Sequence, residues 1–238
     1  PLSPVLPHPD FFAGEPADRK RQRIGQAVAA QGAVATVLSQ PESIAWLLNI
    51  RGQDTESTPL PLSHAILRAD GSVDLFIDSL KLTPATHDHL GPSVTLHQPD
   101  QLGAALEALG ANGTRISIDP TGANEWIRLR LLAGGAEIIN EDDPCILPRA
   151  LKNDAERAGT IAAHNRDGAA LSRFLHWLDE NAPGVSELEC VNRLAAFREG
   201  GEHYRGPSFN TIAGSGPNGA IVHYRVTEAT DRQLGAGE

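Results

Sequence analysis

Between residues 62 and 139, short apolar runs alternate with segments of helical periodicity, and this alternation limits the chain to a layered α/β fold. Runs at 62–67 and 73–77 flank Arg68-Ala69-Asp70-Gly71-Ser72. An Asp-Gly pair supplies the positive φ that a tight hairpin turn requires, so these runs are expected to pair antiparallel. The pattern then predicts helix 83–90, strand 93–97, helix 99–109, strand 115–118, helix 122–133 and strand 136–139. Upstream, Pro16 opens a helix through about Gln31, and Gly32 ends it. Residues 33–38 read as a buried strand. Pro41-Glu42-Ser43 starts a short helix bearing Ile44, Trp46, Leu47 and Leu48. The proline-rich residues 1–14 are expected as an extended arm.

Asn140-Glu141-Asp142-Asp143-Pro144 interrupts this alternation and reads as a solvated acidic linker. Beyond it, Ile161, His164, Gly168, Leu171, Leu175 and Leu178 recur at helical spacing within 153–181, thickened by Phe174 and Trp177. Pro183-Gly184 breaks that helix. Ser186-Glu187-Leu188-Glu189 has the form of a capping box and starts a second helix, which Gly200-Gly201 ends. Residues 207–238 read as β structure, with strands at 208–212 and 220–226. The expected organisation is one mixed α/β domain over residues 1–145 and an incomplete second domain over residues 146–238.

Charge and composition remove several functional classes. The chain has 238 residues, and 20 Lys+Arg against 30 Asp+Glu give a net charge of −10. Nucleic-acid surfaces need clustered cations, so no nucleic-acid partner is expected. No apolar run reaches membrane-spanning length, so no membrane partner is expected either. Two cysteines, Cys145 and Cys190, make no disulfide or zinc framework and read as small packing residues. The N-terminus lacks the basic and apolar regions of a signal peptide. Methionine is absent altogether, and the chain stops at Gly235-Ala236-Gly237-Glu238 just after a turn-like segment. A piece of a longer protein is the expectation.

Chemistry-bearing residues concentrate between Gly206 and Arg225. Gly214, Gly216 and Gly219 with Pro217 form an irregular turn between apolar stretches. It is not a phosphate loop, because no Gly-Lys-Ser/Thr follows. His223 lies between Ile221-Val222 and Tyr224-Arg225, where a surface or structural role and a pocket role both stay open. His164 reads as a helix-surface or packing residue. Arg51, between an apolar helix and a turn glycine, reads as a partly buried anchor, with a substrate or interdomain contact as the alternative. No pair of histidines has metalloprotease spacing.

Three segments together resemble aminopeptidase P, the Xaa-Pro aminopeptidase family. They are Trp46-Leu47-Leu48-Asn49-Ile50-Arg51-Gly52, Ala162-Ala163-His164-Asn165-Arg166-Asp167-Gly168 and the run from Ser208 to Arg225. The resemblance implies a creatinase-like α/β domain followed by the first part of an α+β pita-bread metallopeptidase domain. It implies a substrate peptide with proline in second position, a dimer or higher homo-oligomer, and a cytoplasmic location. The family motif Asn-x-Ala-Ile-x-His-Tyr is matched at Asn218, Ala220, Ile221, His223 and Tyr224. His223 is therefore implied to be catalytic and substrate-binding. Asn210 stands where the family usually has Asp.

The resemblance also implies two divalent ions, commonly Mn2+, held by two Asp, one His and two Glu. The first ligand belongs to an Asp-Ser-Gly motif shortly past the His-Tyr pair. No such motif occurs here, and Asp231, between Thr230 and Arg232, does not match it. All five ligands are expected beyond residue 238, so this chain is expected to bind no metal and to be inactive alone. An Xaa-Pro dipeptidase, a creatinase-type hydrolase and a non-catalytic peptide-binding module are the competing functions.

Overall fold

The computed structural model describes residues 1–237, in two compact units, Pro1–Arg157 and Ala158–Glu238. The first unit begins with β1 (Leu6–Pro7), α1 (Asp10–Ala13), α2 (Ala17–Ala30), β2 (Ala35–Leu38), α3 (Pro41–Leu48) and β3 (Ile50–Arg51). The hairpin β4 (His64–Arg68) and β5 (Val73–Phe76) follows, then α4 (Pro84–Leu90), β6 (Val94–His97), α5 (Leu102–Leu109) and β7 (Arg115–Ile118). The series continues with α6 (Glu125–Gly134), β8 (Glu137–Asn140), α7 (Ile146–Ala150) and the start of α8 (Asp154–Asn181). The second unit holds the rest of α8 and α9 (Glu187–Glu199).

Six strands form one mixed sheet in the order β6-β5-β4-β2-β7-β8. β4 is antiparallel to both β2 and β5, and the remaining pairs are parallel. Period-two alternation sorts the side chains onto two faces. Leu38, Ala65, Leu67, Val73 and Leu75 pack with Ile24, Ile44 and Leu47 from α2 and α3. Val37, Ile66, Phe76, Ile116 and Ile118 pack with Leu102, Leu106, Ile127 and Leu131 from α5 and α6. A mixed sheet covered on both faces is the α/β architecture that the alternating pattern predicts.

The Asp-Gly hairpin is present. Gly71 has φ 84°, and the Asp70 carboxylate accepts from the Ser72 N–H at 2.8 Å. α2 lies directly against this turn: a Cβ on Gly25 would come within 2.8 Å of the Arg68 carbonyl oxygen. Arg21 Nη1 donates to the Gly71 carbonyl at 2.9 Å.

Three expectations change. The N-terminal arm is anchored, because Val5 is fully buried, its N–H donates to the Lys81 carbonyl, and β1 pairs with β3. The acidic linker is not wholly solvated: Asp143 is buried, and its Oδ1 accepts from the Cys145 N–H at 2.8 Å. Residues 207–237 form no strand. They contain a 3-10 turn, Gly216–Ala220, and an isolated bridge from Gln233 to Ser186. A strand needs a partner for its N–H and C=O groups, and among the described residues none lies beside 208–212 or 220–226. Phe209, Ile212, Ile221 and Val222 are correspondingly exposed. Along α8, too, Ala170 is the only buried residue, and the apolar Ile161, Leu171 and Leu175 are exposed.

Two buried lysines shape the first unit. Lys81 Nζ meets Asp54 Oδ2 at 2.6 Å, with side-chain exposures of 6% and 0%, and that oxygen also accepts from the Leu62 N–H. This pair fastens the polar loop 53–61. Lys20 Nζ donates to the Trp46 carbonyl and to Asn49 Oδ1, and lies 4.5 Å from the Trp46 ring centroid. Burial pulls its pKa down to about 8, against the opposing effect of Glu156 and Glu15. Asn49 caps α3 at φ 49°, and its side chain also donates to the Glu15 carbonyl.

Removing one member of the Asp54–Lys81 pair leaves a buried charge unpaired. Lys81→Met should therefore cost about 3–5 kcal/mol in urea unfolding, and Lys81→Met with Asp54→Leu distinctly less. His8 predicts a pH dependence. Burial, then Arg51 and Lys20, lower its pKa from 6.5 to about 4. Between those values the unfolded chain binds the extra proton, so stability is lost as pH falls from 6.5 to about 4. His8→Gln should flatten unfolding free energy across that window.

Candidate functional site

In the second unit the start of α9 organises the glycine-rich segment. Ser186 Oγ accepts from the Glu189 N–H at 3.2 Å, and Glu189 Oε2 accepts from the Ser186 N–H at 2.6 Å. This reciprocal capping box is the one the sequence predicts. It sets Glu187 in the first turn, where the residue is 1% exposed.

The Glu187 carboxylate gathers donors from three places along the chain. The Ser215 N–H donates to Oε1 at 2.6 Å, and the Tyr224 hydroxyl to Oε2 at 2.6 Å. Asn218 Nδ2 lies 3.1 Å from Oε1 and 3.0 Å from Oε2. Burial pushes the Glu187 pKa upward, but hydrogen bonds from Tyr224, Ser215 and Asn218, with the charge of Arg232, bring it below the ordinary carboxylate value. The Tyr224 phenol is raised by burial and by its bond to Glu187.

Asp231 and Arg232 return to the same helix start. The Glu187 N–H donates to the Arg232 carbonyl, and the Leu188 N–H to Asp231 Oδ1 at 2.9 Å. Arg232 Nη1 donates to the Ser215 carbonyl at 2.7 Å. A cavity of about 190 Å³ lies beside this network, lined by Phe174, Leu178, Glu187, Cys190, Ser215 and Leu234.

His223 sits immediately before Tyr224 at φ 56°, in the left-handed region. That conformation is uncommon for a residue with a Cβ and marks local strain. The imidazole is exposed, as are Ile221 and Val222, whereas Tyr224 is 7% exposed. The segment from Gly219 to His223 therefore projects from a base formed by Asn218 and Tyr224. The expected strand at 220–226 is replaced by this turn.

The other sequence candidates lie elsewhere. His164 is exposed on α8. Arg51 Nη1 donates to the Ile50 carbonyl at 2.8 Å, and burial lowers its pKa against the pull of Glu156. Its contacts are those of an anchor. Cys145 is fully buried in the first unit's core, where burial pushes its thiol up, and Cys190 is likewise buried and raised. A cavity of about 300 Å³ in the first unit is lined by Glu15, Arg23, Trp46, Leu147, Leu151 and Glu156, with Arg23 paired to Glu15 at 2.8 Å. Among the described residues, no group of three or more His, Cys, Asp or Glu is placed to hold a metal ion. These side chains do not fit a dinuclear centre. The sequence marks Glu187 only as part of a helix start; its role as a receiver of loop donors depends on contacts 28 and 37 residues away.

The sequence profile of the Creatinase/Prolidase N-terminal domain matches residues 1–156, and that of metallopeptidase family M24 matches residues 158–238. The chain belongs to the creatinase/prolidase family, with an M24 segment following its N-terminal domain. It is 34% identical to a protein of Aspergillus niger named "Probable Xaa-Pro aminopeptidase P", over 94% of this chain and 38% of that protein. A protein of the same name from Coccidioides posadasii is 33% identical, over 95% of this chain and 36% of its own length. The solved X-prolyl aminopeptidase of Caenorhabditis elegans, described as a cytosolic enzyme with a di-nuclear active site, superposes with a TM-score of 0.88 at 26% identity. That match covers 97% of this chain and 39% of the other. The chain thus spans under two-fifths of the length of these relatives. The fold expected from the resemblance, a creatinase-like α/β domain followed by part of an M24 domain, is the fold found.

The network depends on the start of α9. Ser186→Ala should cost about 1 kcal/mol by removing the N-cap. Amide exchange at Glu189, whose N–H would lose its acceptor, should report the loss.

Proposed function

We propose that this member of the creatinase/prolidase family is the N-terminal portion of a metal-dependent aminopeptidase that releases a residue preceding proline. The observation that carries the proposal is the Asn218–Tyr224 segment: it matches the family motif and presents His223 on an exposed, left-handed turn. In this reading His223 contacts the substrate, its ring N–H donating a hydrogen bond to the peptide carbonyl as negative charge develops on the oxygen. Support comes from the names of the relatives and from the M24 match over residues 158–238.

The finer assignments are proposals as well. The cofactor would be two divalent ions, commonly Mn2+, in line with the di-nuclear site named for the Caenorhabditis elegans enzyme. Their ligands would come from the part of the M24 domain that relatives carry and this chain does not span, since the described residues offer no such cluster. A cytoplasmic location follows the same relative, and a homodimer or higher homo-oligomer follows the family resemblance. The substrate would be a peptide with proline in second position. Among the described residues, no helix is long and apolar enough to cross a membrane.

An Xaa-Pro tripeptide with added Mn2+ tests the reading. The 238-residue chain alone should release no N-terminal residue. The same chain continued through a complete M24 domain should release it, and His223→Ala in that protein should lower kcat by roughly 10²–10³-fold. Robust turnover by the chain alone, or unchanged turnover in the His223 variant, would contradict the proposal.

A further inference from the structure

We infer that Glu187 is a positioning residue, a clamp that closes the base of the Asn218–Tyr224 turn and thereby fixes the direction of His223. The inference rests on the proposed role of His223 as a substrate contact. The geometry that supports it is independent of that role.

Asn218 and Tyr224 are the two ends of the turn, and both bind one carboxylate. They also meet each other, with Asn218 Nδ2 2.9 Å from the Tyr224 hydroxyl oxygen. A bidentate acceptor buried at this point ties the ends together, so the intervening residues must reverse direction within a short span. The turn emerges with Val222 82% exposed and His223 at φ 56°, whereas the acceptor beneath is 1% exposed. A histidine relaxes out of the left-handed region unless its surroundings over-determine it. The next residue, Tyr224, is held on both sides: its ring is buried, and its hydroxyl donates to Glu187 at 2.6 Å, with longer contacts of 3.3 and 3.4 Å to the Thr230 carbonyl and hydroxyl oxygens. Glu187 is itself fixed by the capping box and by the Ser215 N–H.

Charge matters as well as shape. A carboxylate has only acceptor oxygens and can receive Ser215, Asn218 and Tyr224 together. A glutamine of the same size offers one acceptor oxygen and an amide that would face the Asn218 amide. Glu187→Gln therefore keeps the volume and loses the clamp, whereas Glu187→Asp keeps the charge on a shorter arm.

The 238-residue chain itself can be tested by NMR. Backbone ¹³Cα and ¹³Cβ shifts of His223 report the left-handed conformation, and amide exchange at Ser215 reports its bond to the carboxylate. Glu187→Gln should move the His223 shifts to random-coil positions and speed Ser215 exchange by roughly tenfold or more. Glu187→Asp should restore part of both. Unchanged His223 shifts in Glu187→Gln would overturn the inference. If that variant loses the helical signal of α8 and α9, Tyr224→Phe decides the matter. It removes the hydroxyl that bonds Glu187, with its longer contacts to Thr230, and should move the His223 shifts while Ser215 stays protected; unmoved shifts overturn the inference.

An Ala-Pro-Ala titration followed at the His223 imidazole separates this from the functional reading. A response in the wild type that is lost in Glu187→Gln supports positioning, and an equal response in both overturns it. No response in the wild type counts against His223 as a substrate contact, and the backbone shifts then still decide whether Glu187 is the clamp.

Discussion

A carboxylate withdrawn from water has to collect donors, and in the second unit Glu187 collects them from segments distant in sequence. Ser215, Asn218 and Tyr224 all donate to it, while Asp231 and Arg232 bond around the same helix start. Few apolar side chains are buried here: Ala170, Cys190, Leu194, Tyr224 and Val226. Residues 207–237 also form no strand, with only the isolated bridge from Gln233 to Ser186, so a polar centre replaces the sheet as the organiser of the segment. The folded pKa of Glu187 lies below its ordinary value, which means the hydrogen bonds outweigh the burial that opposes them. Such networks are cooperative, because each donor fixes the oxygen that the next one needs.

The first unit is held by the opposite logic. Its sheet places apolar side chains on both faces, and helices cover each face. Burial at about 25 cal/mol per Å² of apolar surface makes that arrangement the main source of its stability. Its two buried lysines sit where chain segments are pinned rather than packed. Lys20 ties α2 to the end of α3, and Lys81 ties the strand-end turn to the loop bearing Asp54. In both cases the lysine spans a distance that no backbone ladder covers.

The two kinds of organisation differ in how far the sequence reveals them. The apolar runs at 62–67 and 73–77, the Asp-Gly turn and the helices α2 to α6 are local patterns, and they appear in the structure with small shifts at their ends, whereas the short α1 and α7 carry no such pattern. The capping box at Ser186 is equally local. By contrast, the segment around His223 carries β-branched and aromatic residues that favour a strand. A strand forms only where another lies alongside, and no local pattern encodes that partner. Asp143 next to Asp142 looks like a solvated pair, yet Asp143 turns inward to accept the Cys145 N–H. In the sequence Glu187 is one residue of a capping-box helix start. Its second role depended on the loop folding back, which spacing alone does not disclose.

That second role bears on how His223, the proposed substrate contact, can stand on a turn without a sheet beneath it. A side chain at the end of a strand inherits its direction from the ladder. His223 has no ladder among the described residues, so its direction must come from the two residues that close the turn. Asn218 and Tyr224 supply that closure through shared acceptors, the Glu187 carboxylate and the Thr230 carbonyl, and the carboxylate sits on the most regular element nearby, the capped start of α9. Orientation is thus transferred from a helix to a histidine through a carboxylate and a phenol. Preorganisation of this sort places a hydrogen-bond donor before the substrate arrives, and a donor already aimed needs no reorganisation as charge develops. The left-handed φ of His223 is the local strain that the carboxylate contacts sustain.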